Sequence, residues 1–363
     1  MLPFQYGTPV RSNSCNCHLS GTDCQSALNL KKEDAPITTP NAQRLSPTAK
    51  AEALTALEPL VADLMERHIG ERRLWFPNDF LPASDELSEE DERIRAELPE
   101  NARGLPDSVR VSLALNLLTE EGLPHFHRLI AVYLGNDNAW SRWNFLWTAE
   151  EDRHGCALHD YVRDARLFDM GAFEKLQYQY LEAGFDPEWH SDPYQLLAYT
   201  SLQERATQVA HANTGKIAGK YEPRIQRILA HIAGDEARHH RFYRDAFKGL
   251  LEIDSTGAMQ SALKVMPRLA MPGHNIAGYE DMAEVVRRSG IYGPRDYCKV
   301  VSDCLESWGI ADLVPTDAAG REAQDKMMAL PARIERLGAI QEQRTKPRAY
   351  SFDFLYQRDI AFS

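Results

Sequence analysis

No stretch of this 363-residue chain approaches the roughly 18 to 20 consecutive apolar residues that a membrane helix requires, so no span is expected. Positive charge is in short supply as well. A formal net charge of −12 argues against a general nucleic-acid binder, and any acidic partner would need a local basic patch. Cysteine is sparse: six residues at irregular positions, too few for a disulfide framework in a chain of this length, suit a reducing compartment. The cluster Cys15, Cys17, His18 and Cys24 fits neither a zinc ribbon nor a finger spacing and reads as a tail that happens to contain cysteines. Alternating β-branched runs are also few. What remains is ordinary globular material, 43% hydrophobic and 26% charged, enough to bury a large core.

Residues 1–45 are rich in Ser, Thr, Asn and Pro without sustained periodicity, and read as a flexible extension or address segment ahead of one domain over 46–363. From Ser46, a candidate cap, and Pro47, which fits a first turn, the pattern becomes helical: Leu54, Leu57, Leu60, Val61 and Leu64 recur at three- and four-residue steps. A loop is expected over "FPNDFLPASDELSEEDE". Further helices are expected over about 108–134, 139–163, 171–183, 191–219 and 223–250, separated by breakers such as "GND" and "AGFDPEWHSDP". The last fifty residues read as a helix, "MALPARIERLG", and an aromatic tail able to form a small hairpin. The fold class is therefore all-α, a helical bundle with a short C-terminal extension.

Within this bundle, the apolar stripes carry acids. Trp147, Glu151, His154 and Leu158 fall at i, i+4, i+7 and i+11, and Ile225, Leu229, Ile232, Glu236 and His239 line up in the same way. Glu151/His154 and Glu236/His239 thus repeat one Glu-x-x-His spacing. Glu120 and Glu204 occupy comparable faces of two other helices, 31 and 32 residues ahead of Glu151 and Glu236. Uncompensated carboxylates in an apolar bundle cost several kcal/mol each, so cations are expected among them. Two divalent ions would balance four carboxylates, with one imidazole for each. One Glu from each of two helices and Glu-x-x-His from each of two more is the signature of ferritin-like di-iron and di-manganese proteins, and oxygen donors with two imidazoles suit Fe or Mn. Pro124 removes the helical partner of the Glu120 carbonyl and predicts a kink there. Thr207 either bonds back to a helix carbonyl or faces the metals. Asp235 and Arg238 are placed to orient ligands.

The segments "TEEGLP", "WTAEEDRHG", "YTSLQERATQVAHANT" and "GDEARHHRFYRDAF", with "WFPNDFLP" and "LPARIERL" in the same order, closely resemble the motifs of the soluble acyl-[acyl-carrier-protein] desaturases, known best from plants, over about residues 50–363. The resemblance implies a ferritin-like fold and two iron ions held by Glu120, Glu151, His154, Glu204, Glu236 and His239, with Glu151 and Glu204 bridging. It places Thr207 at the oxygen site, Trp75 on an electron path, and His211 and Asp235 near the cluster. The implied reaction inserts a cis double bond into an acyl chain on acyl carrier protein, with O2 and electrons from ferredoxin, in a homodimer. Leu129, Val132 and Tyr133 fall where the resemblance would place tunnel-lining residues, and ordinary core packing accounts for them equally well. Basic segments "RIERLGAIQEQRTKPR" or Lys216, Lys220, Arg224 and Arg227 would meet the acidic partners. Two alternatives keep the site: a hydroxylase of a carrier-bound acyl chain and an iron-handling protein without organic substrate. Asp152 stands where asparagine is usual in the family, and the tail is unlike a typical plastid transit peptide, which leaves chain length, bond position and compartment, cytoplasm or plastid stroma, open.

Overall fold

The chain is described as a computed structural model covering residues 47–82, 88–187, 189, 192–268 and 272–362. The Cys15–Cys24 cluster, the proposed extension and Ser46 lie outside the described residues. Helices account for nearly all the regular structure: α1 Pro47–Ala56, α2 Glu58–Glu71, α3 Glu89–Ala102, α4 Asp107–Glu120, α5 Leu123–Leu134, α6 Ala139–Asp164, α7 Met170–Ala183, α8 Pro193–Ala218, α9 Pro223–Ile253, α10 Ser255–Val265, α11 Tyr279–Arg288, α12 Pro294–Ser307, α13 Ala318–Met328 and α14 Leu330–Arg344. The expected hairpin is present: β1 Arg348–Tyr350 pairs antiparallel with β2 Ile360–Phe362 in the register Ala349 to Ala361. Phe354, between the strands, packs edge-on against Phe168 and Phe173 beside the start of α7.

Local chemistry sets the ends of the long helices. Asn138 caps α6 by accepting from Ser141 N at 2.9 Å. Asp192 caps α8 through Tyr194 N, and Glu222 caps α9 through Arg224 N and Ile225 N, each just before a proline in the first turn. Gly135 and Gly184 follow the ends of α5 and α7 with φ of 99° and 71°, a conformation that disfavours other residues.

Two expectations need correction. The single helix expected over 108–134 is two: α4 stops at Glu120, Glu121 and Gly122 turn the chain, and α5 restarts with Pro124 in its first turn. Pro124 does not kink a continuous helix; it opens the next one, where its missing N–H costs nothing. The loop expected after Phe76 ends early, because Ser88 and Asp91 form a capping box that starts α3.

The central helices α4, α6, α8 and α9 pack around one another, with α8 and α9 forming the largest pairing, α5 against α6 and α8, and α2 against α6 and α9. Their apolar residues form two separate clusters. One holds Trp143, Trp147, Leu202, Phe242 and Phe247; the other holds Leu113, Leu117, Leu158, Leu229 and Ile232. Along α6 and α9 the chain leaves one cluster, passes through Glu151/His154 or Glu236/His239, and enters the other. The charged residues therefore form a polar layer between two apolar halves.

Candidate metal centre

All six candidate ligands are buried, at 8% exposure or less. Glu120 is the last residue of α4, Glu151 and His154 come from α6, Glu204 from α8, and Glu236 and His239 from α9. Their donor atoms fall into two groups in which every atom lies within 4.8 Å of the others: Glu120, Glu151, His154 and Glu236 in one, Glu151, Glu204, Glu236 and His239 in the other. The shared carboxylates are Glu151 and Glu236. The bridging pair expected from the sequence, Glu151 and Glu204, is thus corrected in one member: Glu204 belongs to a single group, as Glu120 does. The reason is helical register. Each Glu-x-x-His helix presents its glutamate toward the middle of the layer and its histidine toward one end.

Both imidazoles are held from behind. His154 Nε2 lies 3.2 Å from Asp235 Oδ2, and His239 Nε2 lies 2.9 Å from Glu150 Oε2. A carboxylate only accepts, so each Nε2 carries the hydrogen and each Nδ1 is left to face the cluster. The arrangement is reciprocal: Asp235 on α9 holds the histidine of α6, and Glu150 on α6 holds the histidine of α9. The two unshared carboxylates are tethered by one oxygen each. His211 Nε2 meets Glu120 Oε1 at 2.9 Å, its own Nδ1 facing Asn116 Nδ2, and the Trp147 indole donates to Glu204 Oε1 at 3.2 Å.

The side chains fit a pair of metal ions. His154 Nδ1, His239 Nδ1, Glu151 Oε1 and Glu236 Oε2 are buried without hydrogen-bond partners, although His239 Nδ1 and Glu151 Oε1 approach to 2.8 Å. Orphaned donors converging on one point are what coordination relieves. Without cations, protons carry the balance. Burial, with the charges of Glu236 and Glu151, pushes Glu204 well above the usual carboxylate range, and burial with Glu236 raises Glu151. Burial would lower the two histidines, but the Glu151 charge with the Asp235 bond on His154, and the Glu150 bond with the nearby Glu151 carboxylate on His239, raise both instead. Burial would also raise Asp235, Glu120 and Glu150; hydrogen bonds to histidine hold Asp235 at about 2 and the other two well below their usual range.

Trp75 Nε1 donates to Asp235 Oδ2 at 2.7 Å, so indole, carboxylate and His154 form one continuous chain, with the Trp75 and His154 rings parallel at 6.1 Å. Arg153 and Arg238 pair with the same carboxylate. Thr207 Oγ1 bonds back to the carbonyls of Gln203 and Glu204, both at 3.1 Å, and the residue also lines the space beside the candidate ligands. That space, about 20 Å³, is bounded by Thr119, Leu123, Phe126 and Trp147 as well as by the carboxylates. Thr119 and Thr207 also line a larger cavity of about 250 Å³ that runs past Asn116, His211, Ala206 and Ala210 to Tyr279, Tyr292, Arg287 and Gln341. Of the tunnel residues expected after Glu120, Leu129 is buried and Tyr133 packs against the same apolar cluster, whereas Val132 is 58% exposed. It stands one position from the inward face of α5. His68 and Glu150 were not among the expected site residues.

A four-helix bundle with carboxylates and imidazoles gathered in two metal-sized groups is the architecture of the ferritin-like metal proteins. Residues 49–356 match the family model described as fatty acid desaturase, and the chain belongs to that family. It is 32% identical over 333 residues to stearoyl-[acyl-carrier-protein] 9-desaturase 2 of Oryza sativa subsp. indica, covering 86% of this chain and 83% of the relative. It is 33% identical over 284 residues to DesA1 of Mycobacterium tuberculosis, covering 76% and 83%. The X-ray structure of DesA2 from Mycobacterium tuberculosis H37Rv superimposes with a TM-score of 0.55 at 23% identity over 75% of this chain and 99% of that one, which shows a shared fold. No helix among the described residues is long and apolar enough to cross a membrane.

Proposed function

We propose that this chain is a di-iron desaturase that introduces a cis double bond into a saturated fatty acyl chain carried on acyl carrier protein, using O2 and two electrons from ferredoxin. Family membership and relatives named for carrier-bound stearoyl support the substrate class. The observation that carries the reaction is the pair of four-residue groups sharing Glu151 and Glu236, each with one imidazole whose Nδ1 faces the carboxylates of its group. Glu120 and His154 would hold one iron, Glu204 and His239 the other, and the two shared glutamates both. Bound there, two ferrous ions would supply the two-electron chemistry that O2 needs to abstract hydrogen from unactivated methylenes.

The residues around them do the positioning. An alkyl chain offers no polar handle, so its placement depends on the depth and shape of an apolar channel. The 250 Å³ cavity supplies apolar walls in Leu115, Ala206, Ala210 and Val286, and meets the site at Thr119 and Thr207. Leu123 and Phe126 continue the apolar wall beyond the carboxylates and keep bulk water out. Thr207 places a hydroxyl beside the ligands, positioned to hold a proton there. Electrons would enter by way of Trp75, Asp235 and His154. In sum, two adjacent methylenes each lose one hydrogen, O2 takes up these two, two electrons and two protons, and two waters leave with the alkene. A groove lined by Arg344, Lys346 and Arg348 of the segment expected from the sequence, with Arg288 and Glu284, shares Gln341 with the cavity; Arg348 is paired with Asp281, and Arg288, Arg344 and Lys346 would meet the acidic carrier. Assembly as a homodimer belongs to the same proposal.

The test is product analysis. The purified protein with iron, ferredoxin, a reductant and O2 is offered a series of saturated acyl carrier thioesters, and the acyl chains are then read by mass spectrometry. A mono-unsaturated product at a single position is expected. A hydroxylated chain without alkene, or iron mineralisation with no acyl product, would overturn the reading.

A further inference from the structure

Helix α2 carries an ionisable residue where its apolar stripe should continue. Leu57, Val61 and Leu64 stand at i, i+4 and i+7, and His68 takes the next place at i+11, only 4% exposed. A leucine there would pack without a desolvation cost, so the imidazole is explained by what it bonds. His68 Nε2 lies 2.9 Å from Glu150 Oε2, the same oxygen that receives His239 Nε2 at 2.9 Å. Its ring is fixed on two sides, edge-on to Trp143 at 5.1 Å and nearly parallel to His239 at 5.7 Å. Arg72, on the chain just after α2, meets the other carboxylate oxygen at 3.4 Å.

The two halves of the site are thus braced by different groups. Behind His154 stands Asp235, held by the Trp75 indole; behind His239 stands Glu150, held by His68. Resting on the proposed dimetal reading, we infer that His68 is a positioning residue for the metal position of Glu204 and His239. Its N–H pins the Glu150 carboxylate, which in turn keeps the hydrogen of His239 on Nε2 and its Nδ1 directed at the cluster. Without that donor only the longer contact from Arg72 holds the carboxylate from outside, so it can turn, and the tautomer and ring orientation of His239 are less firmly fixed. The position of Glu120 and His154 has its own brace and is unaffected.

Stepwise cobalt(II) titration of the metal-free full chain, followed by calorimetry and visible absorption, reads the two positions separately and requires no turnover. Wild type is expected to take two ions. His68→Phe should weaken one of the two by about 10- to 100-fold, the usual cost of losing an outer-layer partner, and leave the other within about twofold. Trp75→Phe should weaken the opposite one, and His68→Gln, which can still donate to Glu150, should recover most of the loss. If the phenylalanine is not accommodated, His68→Leu takes its place. Two wild-type affinities in His68→Phe, parallel loss at both positions, or a glutamine variant no better than phenylalanine would each overturn the inference. Failure of the wild-type chain to bind metal would instead overturn the dimetal reading beneath it.

Discussion

Asp235→Asn keeps the side chain's shape and removes the charge on which Trp75, Arg153, Arg238 and His154 converge. An amide there directs an N–H at one of four donors and leaves His154 without a fixed tautomer. The expected cost is about 10- to 100-fold in metal affinity, checked by competition against a chromophoric chelator, with unchanged affinity as the contrary outcome. At this scale the six candidate ligands are legible in the sequence, because carboxylates on apolar stripes need a compensating charge and the Glu-x-x-His spacing occurs twice. The sharing of ligands is less legible. Whether Glu204 or Glu236 is shared between the two groups depends on how deeply each helix projects into the layer, which spacing along one chain does not report. Glu150 hides beside Glu151, yet Trp143, Trp147, Glu150 and His154 follow the same four-three-four step, and His68 continues a leucine stripe. Both signals are visible once a buried charge is asked for its partner.

Among elements, the break between α4 and α5 frees the end of α4 to present Glu120. Gly122 sits at that break, and a Cβ added there would strike the Tyr180 hydroxyl and lie 3.0 Å from the Thr119 carbonyl. Gly122→Ala is expected to destabilise the fold by about 1–3 kcal/mol, read from the denaturation midpoint, and to disturb metal binding through Glu120. Asp192 ties three elements together: it caps α8, pairs with Lys50 of α1 at 2.7 Å and accepts from Ser261 of α10 at 3.0 Å. Burial would raise its pKa, but the Lys50 bond and charge, with Gln195 and Ser261, hold it below the usual range. A depressed native pKa stabilises the fold above the unfolded value of about 3.9 and stops doing so as pH falls through the native one. Asp192→Ala should therefore cost about 1–2 kcal/mol at neutral pH, a gap that closes below about pH 4; a gap constant with pH would rule the charge out. The long amphipathic helices α6, α8 and α9 are legible, as are their prolines and caps. Helices α3 and α10–α13 are not: they are short, and their partners are brought beside them only by the fold, α10 and α12 lying on α8, α11 on α4 and α13 on α10.

For the whole molecule, a net charge of −12 would repel an acidic carrier unless the field is uneven, and in the proposed docking groove Arg288, Arg344 and Lys346 would supply the positive charge. Reversing Arg344 and Lys346 to glutamate is expected to raise KM for carrier-bound substrate by about tenfold with kcat little changed, an effect that shrinks as salt screens it. Equal KM in the variant would place docking elsewhere. All-α architecture and the C-terminal hairpin are legible in composition and turn chemistry. The larger cavity is not, since its walls come from α4, α8, α11, α12 and α14, far apart along the chain.

Iron stoichiometry in variants of the carboxylates tests the centre most directly. Wild type should hold two ions per chain. Glu204→Ala should lose affinity at one position, whereas Glu236→Ala, which removes a shared ligand, should lose it at both. No stoichiometric transition metal in the wild-type chain, or equal single-site losses in the two variants, would contradict a centre built on Glu151 and Glu236.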